Sequence, residues 1–222
     1  MGNKLVWHAL GEKFYETGLD RGVLFPKTAL GAYGEGVAWN GLISISESPE
    51  GAEVTKKYAD NNEYLKLVSR ETLKLSMEAF AYPTEFGVCD GTASPVAGVI
   101  ANQQARREFG LAYRTKIGND VAGEDHAYQL HLIFGCLAAP SEKERQTINE
   151  DPDAITFSWD ISTTPVEMTG YRSTSHIVID SRDADATKLA ALEVILYGVD
   201  GTPGTAARLP MPNEIVTLMT PG

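Results

Sequence analysis

Five stretches of this chain alternate apolar and polar side chains with a period of two, and that pattern restricts its fold more than any other feature. Leu73, Leu75, Met77 and Ala79 alternate with Thr72, Lys74, Ser76 and Glu78. Phe109, Leu111, Tyr113, Thr115 and Ile117 alternate with Gly110, Ala112, Arg114 and Lys116. Tyr128, Leu130, Leu132, Phe134 and Cys136 alternate with Gln129, His131 and Gly135, and Ile155, Phe157, Trp159 and Ile161 with Thr156, Ser158, Asp160 and Ser162. From Val37 to Ile45, the residues Val37, Trp39, Ile43 and Ile45 fall on one face and Asn40 and Ser44 on the other. Successive side chains of a strand point to opposite faces, so each run describes a strand with one dry and one polar face. Such strands suit antiparallel sheets and not the doubly buried parallel sheets of α/β enzymes. Ser175–Asp180 is a further strand candidate.

The connections extend this reading. The segments 109–117 and 128–136, joined by 118–127, predict a β-hairpin with a long polar loop. A second hairpin is expected between Glu12–Thr17 and Gly22–Pro26, turning near Asp20-Arg21-Gly22. Asp185 to Tyr197 reads as a helix, with Leu189, Leu192, Ile195 and Leu196 forming one apolar stripe. Asp183 or Asp185 can cap its start, and Gly198 sits where a left-handed glycine ends a helix. A short helix is expected from Asn213 to Met219, after Pro210 and Pro212. Glu47–Asn62 reads as a long polar loop, Val88–Asn102 as weakly patterned, and Asp200–Ala207 as a Gly/Thr/Ala linker. With no repeat and no shift in composition, the 222 residues are expected to form one domain with extended arms.

Charge narrows the function. Nineteen basic against thirty acidic side chains leave a net charge of −11. Nucleic-acid binding needs clustered Lys and Arg, so wrapping of phosphate backbones is not expected, nor is attraction to anionic membranes. The two cysteines, Cys89 and Cys136, form no CxxC pair and read as free thiols of a reduced compartment. The start, Met1 to His8, has no signal-peptide core, and no run approaches a membrane span; folding in a cytoplasm is expected.

A search for chemistry returns little. Of the histidines His8, His126, His131 and His176, His126 and His131 are five apart and point to opposite faces of a strand, so one strand cannot present both to a metal. Asp125-His126 reads as a polar loop edge and His131 as a polar-face strand residue. Cys136 falls on an apolar face, where an inert buried thiol is the default. Asp180, Asp183 and Asp185 lack the glycine and terminal glutamate of a calcium loop. Gly31-Ala32-Tyr33-Gly34-Glu35-Gly36 lacks the Lys-Ser/Thr ending of a phosphate loop and leads into a strand, so it reads as a turn. No GxSxG or HExxH occurs. No catalytic residue, cofactor or metal ligand is therefore expected. A site split over distant residues, for example Cys89 with a histidine, stays open as a rival.

Whole segments, in order, resemble one family. They are Lys4-Leu5-Val6-Trp7-His8, Gly11-Glu12-Lys13-Phe14-Tyr15-Glu16-Thr17-Gly18, Asp20-Arg21-Gly22-Val23-Leu24 and Gly36-Val37-Ala38-Trp39-Asn40-Gly41-Leu42 near the start. Glu47-Ser48-Pro49-Glu50-Gly51-Ala52-Glu53, Tyr58-Ala59-Asp60-Asn61, Ala79-Phe80-Ala81-Tyr82-Pro83 and Glu85-Phe86 follow. The middle carries Phe109-Gly110-Leu111, Tyr113-Arg114-Thr115, Ile117-Gly118-Asn119-Asp120 and Leu137-Ala138-Ala139-Pro140-Ser141-Glu142. Ala154-Ile155-Thr156-Phe157-Ser158-Trp159, Ser162-Thr163-Thr164-Pro165-Val166, residues 189–198 and Leu209-Pro210-Met211-Pro212 complete the set. The chain resembles the major tail protein of siphophages and prophages of Gram-positive bacteria, over nearly its whole length.

The resemblance implies a mainly β (α+β) tail-tube fold: two antiparallel sheets as a sandwich or barrel, with one helix of the C-terminal region packed outside. It implies hexameric rings that stack into a non-contractile tube around a tape-measure protein, through which DNA leaves the capsid. Partners would be further copies of the chain, the tape-measure protein, a tail terminator and distal tail or baseplate proteins. The protein would reside in the virion after assembly in the bacterial cytoplasm. The expected inter-subunit arms are residues 1–12, the loop 47–62 with Glu50, Glu53, Tyr58, Asp60 and Asn61, and residues 199–222. An acidic lumen wall would repel DNA at short range. The rival within the same particle is a monomeric β-sandwich that binds or decorates a surface.

Overall fold

Alternating runs become strands because their apolar side chains leave water together on one face. In the computed structural model, which describes residues 4–147, 154–201 and 204–220, the strands are β1 (Phe14–Pro26), β2 (Val37–Trp39), β3 (Leu42–Glu50), β4 (Val54–Ala59), β5 (Asn62–Val68), β6 (Thr72–Ala79), β7 (Ala93–Val96), β8 (Val99–Ala101), β9 (Phe109–Asn119), β10 (Gly123–Ala138), β11 (Phe157–Thr163) and β12 (His176–Asp180). Two helices follow, α1 (Ala186–Tyr197) and α2 (Pro212–Met219). The main sheet is antiparallel, in the order β2-β1-β9-β10-β11-β6-β3, with β12 also paired to β10. The pairs β4–β5 and β7–β8 are separate hairpins.

The connectivity dictates the shape. β2 and β3 stand at opposite ends of the strand order, yet only Asn40 and Gly41 separate them in sequence. Such a link spans at most about 11 Å, so the sheet must curl until its ends meet. The curl gives a mainly β, sandwich-like body with an inside and an outside. Inside lie Leu24, Trp39, Leu75, Met77, Phe86, Phe109, Trp159 and Ile161, among others. The aromatic rings pack edge-on, with Phe86 at 5.2 Å from Trp159 and 5.5 Å from Phe109. Outside, Phe25, Leu130, Leu132 and Phe134 pack beneath Leu189, Leu192 and Leu196 of α1 and Ile215 of α2. β9 therefore has both faces buried over its first half, because the interior covers one and the helices the other.

Local signals hold where they are self-contained. β6 alternates exposed and buried residues without a fault. Asp185 caps α1 by accepting from the N–H groups of Thr187 and Lys188, and Gly198 ends it at φ 74°. α2 begins on Pro212. β9 and β10 form the expected hairpin, but the strands run on through the expected loop and leave only residues 120–122 between them.

Other expectations are corrected. The second expected hairpin, between Glu12–Thr17 and Gly22–Pro26, is instead one long strand, β1, paired along β9 with irregularities at Thr17/Leu19 and Asp20/Val23; Gly18 and Arg21 adopt positive φ at these bulges. The run 37–45 is two strands. Gly41, at φ 83°, and an irregularity between Leu42 and Ser44 break the alternation, so Leu42 and Ile45 face the core and Ile43 is exposed. In β10, Gly135 at φ 60° shifts the parity, so Cys136 joins the inner core while Leu130, Leu132 and Phe134 face the helices. The presumed loop 47–62 is the end of β3, a turn and the β4–β5 hairpin. Residues 88–102 contain the β7–β8 hairpin. The segment 199–222, where described, is rooted on the body of its own chain: Leu209 and Ile215 are buried and Arg208 N–H donates to Ile195 O at 2.9 Å. Residues 1–3, 202–203 and 221–222 of the two terminal segments lie outside the described residues.

Candidate assembly surface

The five residues expected to reach a neighbouring subunit lie on or beside one projection. Glu50 ends β3 and pairs with Lys74 Nζ at 2.8 Å. Glu53 enters β4, its N–H donating to Ser69 Oγ at 2.9 Å. Asp60 and Asn61 form the two-residue tip, at φ 51° and 62°. Two successive positive φ values mark the tight hairpin turn whose twist suits paired strands, and Asp and Asn tolerate it better than other non-glycine residues. Tyr58 stands on β4 and is exposed.

The hairpin that carries them has no support beneath it. Every residue of β4 and β5 is exposed, including Val54, Tyr58, Tyr64, Leu65, Leu67 and Val68. The register Thr55↔Leu67 and Lys57↔Leu65 places Leu65 and Leu67 on one face. A lone two-stranded hairpin is marginal in water, and this one is helped only by surface pairs such as Lys56–Glu63 at 2.8 Å. Apolar side chains on an isolated projection are what a protein–protein contact covers. The β7–β8 hairpin repeats the pattern on a smaller scale, with Val96, Val99 and Ile100 exposed. At the N-terminal segment Leu5, Val6, Trp7 and Leu10 are exposed, while Gly11 N–H donates to Asp120 Oδ1 at 3.0 Å and anchors its root.

The outer face of β3, β6 and β11 is different. The register sets Ser44, Ser46 and Ser48 beside Glu78, Ser76 and Lys74, with Ser158, Asp160 and Ser162 on the far side. These side chains are small, polar and mostly exposed.

A polar cluster that sequence reasoning missed closes one end of the interior. Glu47 (β3), Tyr113 (β9), His131 (β10) and His176 (β12) meet there. His131 is buried, not on a polar outer face, and stacks on Tyr113 with ring centres 4.6 Å apart. Its Nδ1 lies 3.2 Å from His176 Nε2 and 3.5 Å from Glu47 Oε1. His176 Nδ1 lies 3.3 Å from Glu47 Oε2. The Tyr113 hydroxyl donates to Glu47 Oε1. On the other side of the His131 ring, Nε2 is 3.0 Å from Thr115 Oγ1, which donates to Glu16 Oε1 at 2.6 Å. The His131 ring and then the Tyr113 hydroxyl hold the Glu47 carboxyl down at about 2, against the effect of its burial. Burial also pushes the His176 imidazole below its ordinary value and the Tyr113 hydroxyl well above its own. No local spacing signals this cluster, because its members are contributed by separate strands.

The remaining candidates find ordinary roles. Cys89 and Cys136 are free and buried in the inner core. Burial raises both thiols, Cys89 to about 12, which keeps them protonated and poorly nucleophilic. Asp180 accepts three hydrogen bonds from Arg182, one of them from its backbone N–H, and one from Gln129, and Asp185 caps α1, so neither is free for calcium. His126 is exposed, 5.3 Å from the Phe14 ring. A shallow groove of about 450 Å³ beside α1 mixes Arg114, Lys116, Glu124, Asp125 and Glu193. No described helix is long and apolar enough to cross a membrane.

No family model matches the chain, and no curated protein matches it. Among solved structures it is similar to a chain of the cryo-EM structure of the anti-feeding prophage baseplate, 6-fold symmetrised, with a TM-score of 0.34 and 10% identity over 81% of this chain and 97% of that one. A likeness of that size carries no argument about fold or function.

Proposed function

We propose that this chain is a structural subunit of a phage particle, one that polymerises as stacked hexameric rings into a non-contractile tail tube and lines the path of DNA. The observation that carries the reading is the unsupported β4–β5 hairpin. It holds apolar side chains in water on a projection that its own subunit does not cover, and a neighbouring copy would cover it. The ordered sequence resemblance supplies the kind of assembly. In a ring the contacts are heterologous, one surface meeting a different one on the next copy, and stacking repeats them along an axis. Glu50, Glu53, Tyr58, Asp60 and Asn61 would lie in or beside that contact, with the N-terminal segment and the β7–β8 hairpin as further bridges. The serine-rich outer face of β3, β6 and β11 is the surface assigned to the lumen. The tape-measure protein would occupy the tube during assembly, a tail terminator and distal tail or baseplate proteins would close its ends, and the virion would be its final location. The role requires no catalytic residue.

Negative-stain electron microscopy of the concentrated, purified protein tests the proposal. Tubes or six-fold rings are expected. A protein that stays monomeric at high concentration would favour the decoration module instead.

A further inference from the structure

The Glu47–His131–His176 cluster is short of positive charge. Thr115 has one hydroxyl proton and gives it to Glu16 at 2.6 Å. The 3.0 Å contact between Thr115 and His131 must then use an N–H on His131 Nε2, which leaves Nδ1 as a bare lone pair in the neutral ring. That lone pair faces His176 Nε2 at 3.2 Å and Glu47 Oε1 at 3.5 Å. If His176 donates from Nε2, its own Nδ1 lone pair is turned onto the Glu47 carboxylate at 3.3 Å. If it donates from Nδ1 to Glu47, two imidazole lone pairs face each other at 3.2 Å. Either neutral arrangement leaves one acceptor pointed at another in a partly buried site, which costs free energy. One added cation resolves both arrangements: a proton on His131 Nδ1, which would then donate to Glu47, or a bound metal ion.

We propose that Glu47, His131 and His176 bind a divalent first-row transition ion of the zinc type, which ties β3 to β10 and β12. One donor atom from each residue lies within 4.8 Å of the others. The separations of 3.2 Å from His131 Nδ1 to His176 Nε2 and 3.5 Å to Glu47 Oε1 match the edge of about 3.3 Å that tetrahedral ligands at about 2.0–2.1 Å would have. Two imidazoles and one carboxylate suit zinc and its neighbours and not magnesium or calcium, which prefer oxygen ligands alone. The surroundings are those of a held ligand set. The second nitrogen of His131 is fixed by Thr115 and through it Glu16, and Tyr113 orients Glu47, as outer partners orient metal-binding side chains. Three protein ligands leave a fourth position for water. Glu47 lies on the strand that leads into the β4–β5 hairpin, so the ion would stiffen the root of that projection. The inference rests on the geometry of the three strands and not on the assembly reading.

The full-length protein, stripped with chelator, is titrated with Zn²⁺ by calorimetry and with Co²⁺ by visible absorption. One ion per chain is expected, with tetrahedral cobalt bands and a rise in Tm on adding Zn²⁺. Glu47→Gln and His176→Gln should weaken binding at least tenfold, and Thr115→Val by about tenfold through loss of the outer bond. His126→Ala, at an exposed ring, should bind as the wild type. Circular dichroism checks that each variant is folded. A folded wild type with no saturable binding at 100 µM Zn²⁺ (a concentration on the order of the weakest useful site), or equal binding by the Glu47 and His176 variants, overturns the proposal and leaves a metal-free hydrogen-bonded cluster.

Discussion

The hairpin reading yields a quantitative test when Tyr58, Tyr64, Leu65 and Leu67 are replaced together by threonine. Threonine keeps strand propensity, so the hairpin's backbone preference is retained while its apolar surface is removed. In the isolated subunit these side chains are 67%, 72%, 39% and 52% exposed. Fully burying one large apolar side chain is worth ~2 kcal/mol, so the surface they still show to water is worth ~4 kcal/mol if a neighbour covers all of it. Covering half gives ~2 kcal/mol, or about thirtyfold in the concentration needed to assemble. Subunit stability should move little, because exposed positions usually change it by less than about 0.5 kcal/mol each. Light scattering against protein concentration gives the critical concentration, and urea unfolding of the unassembled subunit gives the control. A quadruple variant that assembles at the wild-type concentration while equally stable would refute the reasoning: the hairpin would then not be a contact.

Three further outcomes test the fold that positions it. Gly135→Ala places a Cβ 2.3 Å from Thr164 O at a φ of 60°; strain of ~1–2 kcal/mol and a clash of ~1–3 kcal/mol should lower stability by about 2–5 kcal/mol in urea unfolding, and a loss under ~1 kcal/mol would contradict the parity shift. Asp185→Ala removes the cap of α1 and should cost about 1 kcal/mol in thermal unfolding, with no loss expected if the helix does not begin there. Asp20 is held below 3.8 by hydrogen bonds from Arg114; a carboxyl depressed in the folded state stabilises above its unfolded value and loses that contribution as pH falls through the folded one, so Asp20→Asn should flatten the fall in stability below about pH 4, and an unchanged slope would remove the pair from the account.

How much of this was legible in the sequence depends on how local each signal is. β6 and α1 were readable because their alternation or stripe is complete within the element and their ends are marked by their own residues, such as Asp185 and Gly198. The runs through Gly41 and Gly135 were misread because the apolar count continues across the break, while one positive φ turns the chain over. The β4–β5 hairpin was taken for a loop because both faces are exposed, so no alternation is imposed by burial; the Asp60-Asn61 pair was the available clue. The histidine cluster was not readable at all. Glu47 and His176 are brought to His131 only by the curl that joins β3 to the rest of the sheet and by the pairing of β12 with β10.

That curl also sorts the surfaces, and the sorting bears on how a DNA conduit could be built from this subunit. The outer face of β1, β9 and β10 is committed to the helices, and the inner faces are committed to the core. The bare sheet surface is the outer face of β3, β6 and β11, where Ser44, Ser46, Ser48, Ser76, Ser158 and Ser162 dominate and Glu78 and Asp160 add negative charge. Lys74 is a cation on that face, and Glu50 holds it at 2.8 Å. Short hydroxyl side chains give moving phosphates no large apolar or cationic handle. Charges in salt act only within a Debye length of about 8 Å, so in a tube built from this chain the net −11 would matter to passing DNA only through the few groups on the wall itself. A surface need not be strongly acidic to let DNA slide; it needs its cations neutralised and its side chains small. On this argument the arrangement of serines and of the Lys74–Glu50 pair weighs more than the overall charge that first set nucleic-acid binding aside.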